Sequence, residues 1–232
     1  MKQYGLDDVD ALINHAYAVV NKYGTASSQL AADMYDATAE LSGKYLEPAE
    51  LAEMPTYRYV SGTIRRALNL TQNIDMIAAV AGRLVKQAAQ DTTLKNAKRD
   101  GAQFAWIPHG ATCAFCIMLG SNGWKNISKQ AFKNGHARHI HPNCDCAYAV
   151  RFDSESNIDG YDPDAMQRFY YSSIEQADES DHEYEGKKKN YAVNAMRRRI
   201  YKQNKEQINA QKRSAYEKRK ELESPKAEEL KV

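Results

Sequence analysis

The sequence predicts a mainly α protein. A helical N-terminal region leads into a small α+β module, stapled by zinc and closed by a short hairpin-like strand pair, and a long basic helix follows at the C-terminal end. Three observations carry this prediction. Apolar residues recur at helical spacing through the first hundred residues. All four cysteines and four of the six histidines fall between His109 and Cys146. Lys and Arg crowd a stretch near the C-terminal end that lacks Pro and Gly.

In the first region, "DVDALINHAYAVVNKYG" places Val9, Leu12, Ile13, Ala16, Val19 and Val20 on one face of a 3.6-residue period, with Gly24 standing where a helix would end. A second helix is expected over "TASSQLAADMYDATAELSG", with a Ser or Thr cap at its start and Gly43 just past its end. Pro48 and Pro55 punctuate the loop-like "YLEPAELAEMPT". Apolar-periodic stretches over 57–70 and 72–90 carry Ile64, Leu68, Ile74, Ile77, Val80, Leu84 and Val85, and a short polar helix over 91–101 leads onward. His15, on an apolar helical face, reads as a core or boundary residue rather than a ligand.

The texture changes at residue 104. "FAWIPHG" and "CAYAVRF" are short, aromatic and β-branched, and they flank the cysteine region as two strands expected to pair. "IMLG" and "SKQAFKNG" are expected as short helical pieces between them. Four regions follow: a helical docking region over 1–103, a Cys/His zinc module over 104–152, an acidic linker or helix over 153–186, and a basic helical tail over 187–232. From Asp153 to Glu185 the one cation among Lys and Arg is Arg168. From Lys187 to Lys220, thirteen Lys and Arg oppose only Glu206 and Glu217, so a net charge of +2 for the whole chain conceals a local charge near +11.

The clustered cysteines ask for a staple. Two residues between Cys113 and Cys116 let both thiolates converge on one ion, and tetrahedral zinc takes four Cys or His donors in structural sites. The other half-site lies in "HIHPNCDC". A closed site adds Cys144 and Cys146, or His141 with one of them; an open site keeps three protein ligands and a water, as hydrolytic zinc requires. Sulfur-rich ligation favours the closed site, because thiolates make zinc a poorer Lewis acid. His109, His136 and His139 are neighbours with weaker claims, and buried thiols or a redox pair are the alternative to a metal.

Several classes are excluded. No apolar run approaches the length of a membrane span, and "MKQYGLDDVDAL" has no signal-peptide h-region, so synthesis in a reducing cytosol is expected. The HxE…PCxxC order of zinc deaminases, HExxH, Gly-rich phosphate loops and GxSxG are all missing. Asp145 is a turn residue or a ligand's partner sooner than a general base.

The stretches "WIPHGATCAFCIMLGSNGW" and "HIHPNCDCAYAVRFD…GYDP" resemble the minor head, or head-morphogenesis, proteins of tailed phages and prophages related to the phage Mu F protein. "YGTASSQLAADMYD", "RLVKQAAQDT…NAKRDGAQ" and "INAQKRSAYEKRK" extend the likeness over most of the chain. The family's CxxC and later HxxCxC fall on Cys113, Cys116, His141, Cys144 and Cys146. The resemblance implies a non-enzymatic virion protein made in the bacterial cytoplasm and placed inside the head or at the portal. It would bind portal or capsid proteins and act in head assembly, DNA packaging or ejection. The tail residues Arg197, Arg198, Arg199, Lys202, Lys205, Lys212, Arg213, Lys218, Arg219 and Lys220 fit double-stranded DNA contacted through its phosphates without base specificity, or an acidic protein surface. The competing expectations are a zinc-dependent hydrolase of head maturation, a nuclease or peptidase, and a zinc-ribbon DNA-binding factor.

Overall fold

The computed structural model describes residues 8–70, 73–109, 112–127, 146–177 and 191–223. The described chain forms two compact units. One comprises the described residues of Met1–Thr112 and Leu119–Pro163; the other, those of Cys113–Met118 and Asp164–Val232.

In the first unit, α1 (Val9–Leu41) is one helix of 33 residues. Asp8 caps it, accepting from the Ala11 N–H at 2.9 Å. The expected break at Gly24 does not occur. Gly24 is buried, and a Cβ there would lie 2.5 Å from Met54 Cε and 3.5 Å from Ala88 Cβ. The glycine permits close packing rather than ending the helix. The true stop is the predicted Gly43, whose φ of 67° lets Lys44 N–H return to Ala39 O at 2.9 Å.

Helix α2 (Tyr57–Leu70) lies where its periodicity placed it. Helix α3 (Ile74–Asp100) merges the two expected segments 72–90 and 91–101 into one rod, begun by an Asn73 cap and ended by Gly101 in the left-handed region. Residues 91–100 continue the helix because their polar side chains are partnered. Thr92 and Asn96 are fully buried, yet both are hydrogen-bonded. Leu12, Ile13, Ala16 and Val20 from α1, Val60 and Ile64 from α2, and Ile77, Val80 and Leu84 from α3 form the main core.

Between α1 and α2, residues 44–56 have no regular structure and are strapped onto neighbouring helices by side chains. Asp36 accepts from the Ala49 N–H at 2.9 and 3.1 Å. Asn96 Oδ1 accepts from the Glu50 N–H, and its Nδ2 donates to Glu50 O, both at 2.9 Å. Thr92 Oγ1 accepts from the Ala52 N–H at 3.0 Å. Arg99 donates to the Pro48 and Glu47 carbonyls at 3.0 and 2.7 Å.

Strands β1 (Gln103–Ile107) and β3 (Ala147–Arg151) pair antiparallel with Gln103 opposite Arg151 and Ile107 opposite Ala147, as expected for the two aromatic segments. A two-residue strand, β2 (Lys125–Asn126), pairs with the other edge of β1 and was not anticipated; "KN" is too short and polar to signal a strand. Tyr35 of α1 joins this sheet to the helices. It packs edge-on against Phe152 at 5.3 Å and donates to Asp100 Oδ2 at 2.9 Å. Burial and the Asp100 carboxylate push its phenol pKa upward.

Helix α4 (Ala114–Gly120) contains the expected helical "IMLG". In the second unit, its residues Ala114, Ile117 and Met118 pack with Phe169 and Tyr170 of α5 (Pro163–Glu175) and with Val193, Met196 and Ile200 of α6 (Tyr191–Glu223). The long basic helix is therefore present, and its first turns build a core with α4 and α5. Among the described residues no helix is long and apolar enough to cross a membrane.

Candidate functional site

The cysteine segment begins at a turn. Cys113 O accepts from the Ile117 N–H at 3.0 Å, opening α4, and Cys113 Sγ accepts from the Cys116 N–H at 3.4 Å. A backbone N–H donated to sulfur favours the thiolate, the form that ligates metal. The donor chemistry of this CxxC turn thus fits a metal half-site. Cys116 is buried and Cys113 half-buried.

Cys146 belongs to the first unit, where it is buried just before β3. Its carbonyl accepts from Gln90 Nε2 at 3.3 Å, while the buried Gln90 Oε1 has no hydrogen-bond partner among the described residues. His141 and Cys144, with His136, His139 and Asp145, lie outside the described residues. Among the described residues no three His, Cys, Asp or Glu side chains are grouped to hold a metal.

The basic tail divides along α6. Arg199 donates to Ser172 Oγ and Ser173 Oγ, both at 2.8 Å, and its guanidinium lies 4.5 Å from the Phe169 ring centre. Arg198 donates to Gln176 O at 3.1 Å. These two arginines bind α6 to the end of α5. Arg197, Lys202, Lys205, Lys212 and Arg213 are exposed, as are Tyr201 and Tyr216 between them. Lys218, Arg219 and Lys220 fall within the helix, but their side chains lie outside the description.

One feature of the first unit escaped the sequence reading. A groove of about 820 Å³ runs between α1, α3 and β3, walled by Leu30, Met34 and Leu41 on one side and by Tyr148 and Val150 on the other. Lys86, His109 and Arg151 also line it. Arg151 is held by Gln103 Oε1 at 2.8 Å and Ser156 O at 2.9 Å, and its guanidinium stacks 4.7 Å from the Trp124 ring centre. The signal that could have revealed the groove is the surplus of apolar residues on α1, more than one buried face requires.

A family model described as VG15 protein matches residues 5–173, well over half of the 232 residues. No curated protein and no solved structure matches the chain.

Proposed function

The chain belongs to the VG15 protein family, a family of viral proteins, and from that premise we propose that it is a minor head protein of a tailed phage or prophage. In this reading it is made in the bacterial cytoplasm and incorporated inside the head or at the portal. There the N-terminal helices contact portal or capsid proteins during assembly, packaging or ejection. The family match is the observation that carries the reading. The likeness of the Cys/His segment to proteins related to the phage Mu F protein supplies the finer assignment to the head. An epitope tag on the chain in a producing lysogen tests it: the tag should purify with DNA-filled heads. A tag left wholly in the soluble lysate, with particle yield unchanged, refutes it.

Within that role, Cys113 and Cys116 with donors from His141, Cys144 and Cys146 would hold one zinc ion. The ion would supply a structural cross-link rather than a reacting centre. The N–H···S bond at Cys113 and the CxxC spacing support this. Elemental analysis should find about one zinc per chain, and chelation should lower the thermal midpoint, because the binding free energy of a structural ion is folding free energy. Metal-free protein with an unchanged midpoint refutes it.

The exposed cations of α6 would meet DNA phosphates by counterion release. Log affinity should fall with log salt at a slope of about −0.9 per phosphate neutralised. Neutralising Lys202, Lys205, Lys212 and Arg213 together should flatten that slope and weaken all sequences alike. An unchanged slope leaves the tail without a DNA role.

A further inference from the structure

Within the first unit, β3 ends the sheet. The strand order among the described residues is β2-β1-β3, so β1 occupies one edge of β3 and no described strand pairs with the other. In an antiparallel ladder alternate residues turn their N–H and C=O groups away from the neighbouring strand, so an outer edge carries a row of main-chain donors and acceptors. The groove lies along this edge. Side chains alternate between the two faces of a strand, so a groove on one face would touch every second residue. Here Ala147, Tyr148, Ala149, Val150 and Arg151 all line it, whereas β1 contributes Ile107 alone. The groove therefore opens on the edge of the sheet and not on either face.

The facing wall is apolar and reaches water. Leu30, Met34 and Leu41 of α1 are 61%, 63% and 90% exposed. From Leu30 to Leu41 the helix rises about 17 Å, and the five residues of β3 also extend about 17 Å. The two walls are matched in length. Nor does the strand guard its edge: "AYAVR" has no Pro, and its one charge, Arg151, stands at its end.

The groove is also basic. Lys86, His109 and Arg151 line it, and among the described residues no carboxylate does. Arg151 is oriented by two neutral acceptors, Gln103 Oε1 and Ser156 O. The nearby Asp153 lies outside the lining and accepts from the Glu155 and Ser156 N–H groups. These features select the occupant. An open strand edge calls for main-chain donors and acceptors, which a purely apolar ligand lacks. The cations favour acidic side chains. They disfavour a second copy of this edge, which would set one basic groove against another.

We infer that the groove receives an extended, acidic segment of a partner protein, which pairs with β3 as a fourth strand. Alternate side chains of that segment bury against Leu30, Met34 and Leu41, and its Asp or Glu residues meet Lys86 and Arg151. Main-chain hydrogen bonds supply affinity with little regard to sequence, while the apolar wall and the cations supply preference. The inference concerns what the first unit binds and does not rest on the assignment to the phage head.

Selection of a random heptapeptide display library on the full chain at physiological salt, followed by fluorescence anisotropy of the recovered peptides, tests it. Those peptides should alternate β-branched or aromatic residues with others and be enriched in Asp and Glu. N-methylation of one alternate set of peptide amides should raise the Kd roughly tenfold or more, while the other set tolerates it, because only one set points at β3. Met34→Glu should weaken binding by a similar factor. Lys86→Gln should weaken it less and reduce its dependence on salt. A far-UV melt of each variant checks the fold. The N-methylated peptides need no variant, and they decide alone should both variants unfold. Recovery of no peptide overturns the inference, as does binding indifferent to N-methylation of either set. Binding unchanged by both Met34→Glu and Lys86→Gln overturns it too, by placing the peptide on another surface such as α6. Dodecanoate that binds the groove when no peptide does assigns it to an acidic amphiphile instead. The head-incorporation assay can fail while peptide binding persists, so the two readings are separable.

Discussion

Removing the Asn96 side chain isolates what holds the strap over 44–56. Asn96→Ala deletes both hydrogen bonds to the Glu50 main chain, each 2.9 Å long, and the bond from Nδ2 to Thr92 O at 2.8 Å. Thr92 O keeps its place in the helical ladder, so its loss is minor. The Glu50 N–H and C=O have no such reserve. A buried backbone group left without a partner costs about 1–3 kcal/mol, and Glu50 sits at a partly exposed site where water recovers some of that. The expected loss is therefore about 2–3 kcal/mol, a large fraction of a typical domain's stability. Urea unfolding measures it as a lower midpoint at constant m-value, and the Glu50 amide should exchange its hydrogen faster than neighbours inside α3. Asn96→Asp should be worse at neutral pH, because burial disfavours its charge and its oxygens cannot donate to Glu50 O. A loss below about 0.5 kcal/mol for Asn96→Ala would refute the claim that side chains hold the strap.

Three further outcomes follow from the same geometry. The Asp100 carboxyl pKa is lowered from its ordinary 3.8, first by the Arg99 hydrogen bond and also by that from Tyr35. Its contribution is therefore full above that value and lost as pH falls through the lower folded value, and Asp100→Asn should flatten the acid limb of a stability–pH curve below about pH 4. At Gly24, alanine gains about 1 kcal/mol of helix propensity but must displace the Met54 methyl, for a net change near zero, whereas leucine should cost about 1–3 kcal/mol by thermal melting; a neutral leucine would mean the position is loosely packed. Arg199→Lys takes the planar guanidinium off the Phe169 ring and draws back the one nitrogen, Nη1, that serves both Ser172 and Ser173, lowering stability by about 1–2 kcal/mol while leaving any DNA affinity unchanged. A selective fall in DNA affinity would place Arg199 at the nucleic acid instead.

Periodicity located α2 and the stop at Gly43 because both depend on local chemistry, an apolar face and a left-handed turn. Gly24 misled because a glycine that ends a helix and one that admits a neighbour look the same until Met54 and Ala88 are in place. The polar stretch 91–100 looked like a short separate helix. Thr92 and Asn96 are tolerated inside only because a loop some forty residues earlier presents its peptide groups to them. The pairing of β1 with β3 was legible from two matching aromatic segments, whereas β2 exists only as an addition to an edge already formed. Of the candidate site, the cysteine turn at Cys113 was legible as local spacing. The engagement of Arg199 was not, since sequence gives its charge and not the serines and ring that receive it.

Because α1 runs 33 residues without interruption, about 50 Å, it behaves as a single stiff rod. Its first turns are set among Leu12, Ile13 and Val20 in the main core, while its last three turns carry the strap's anchor at Asp36 and the aromatic junction at Tyr35. The one residue that could have served as a hinge is wedged between a methionine and an alanine. A torque applied near Leu41 is therefore not absorbed locally but delivered to the packing around Val20. The unit answers mechanical load as a whole, and it yields by losing core packing rather than by bending.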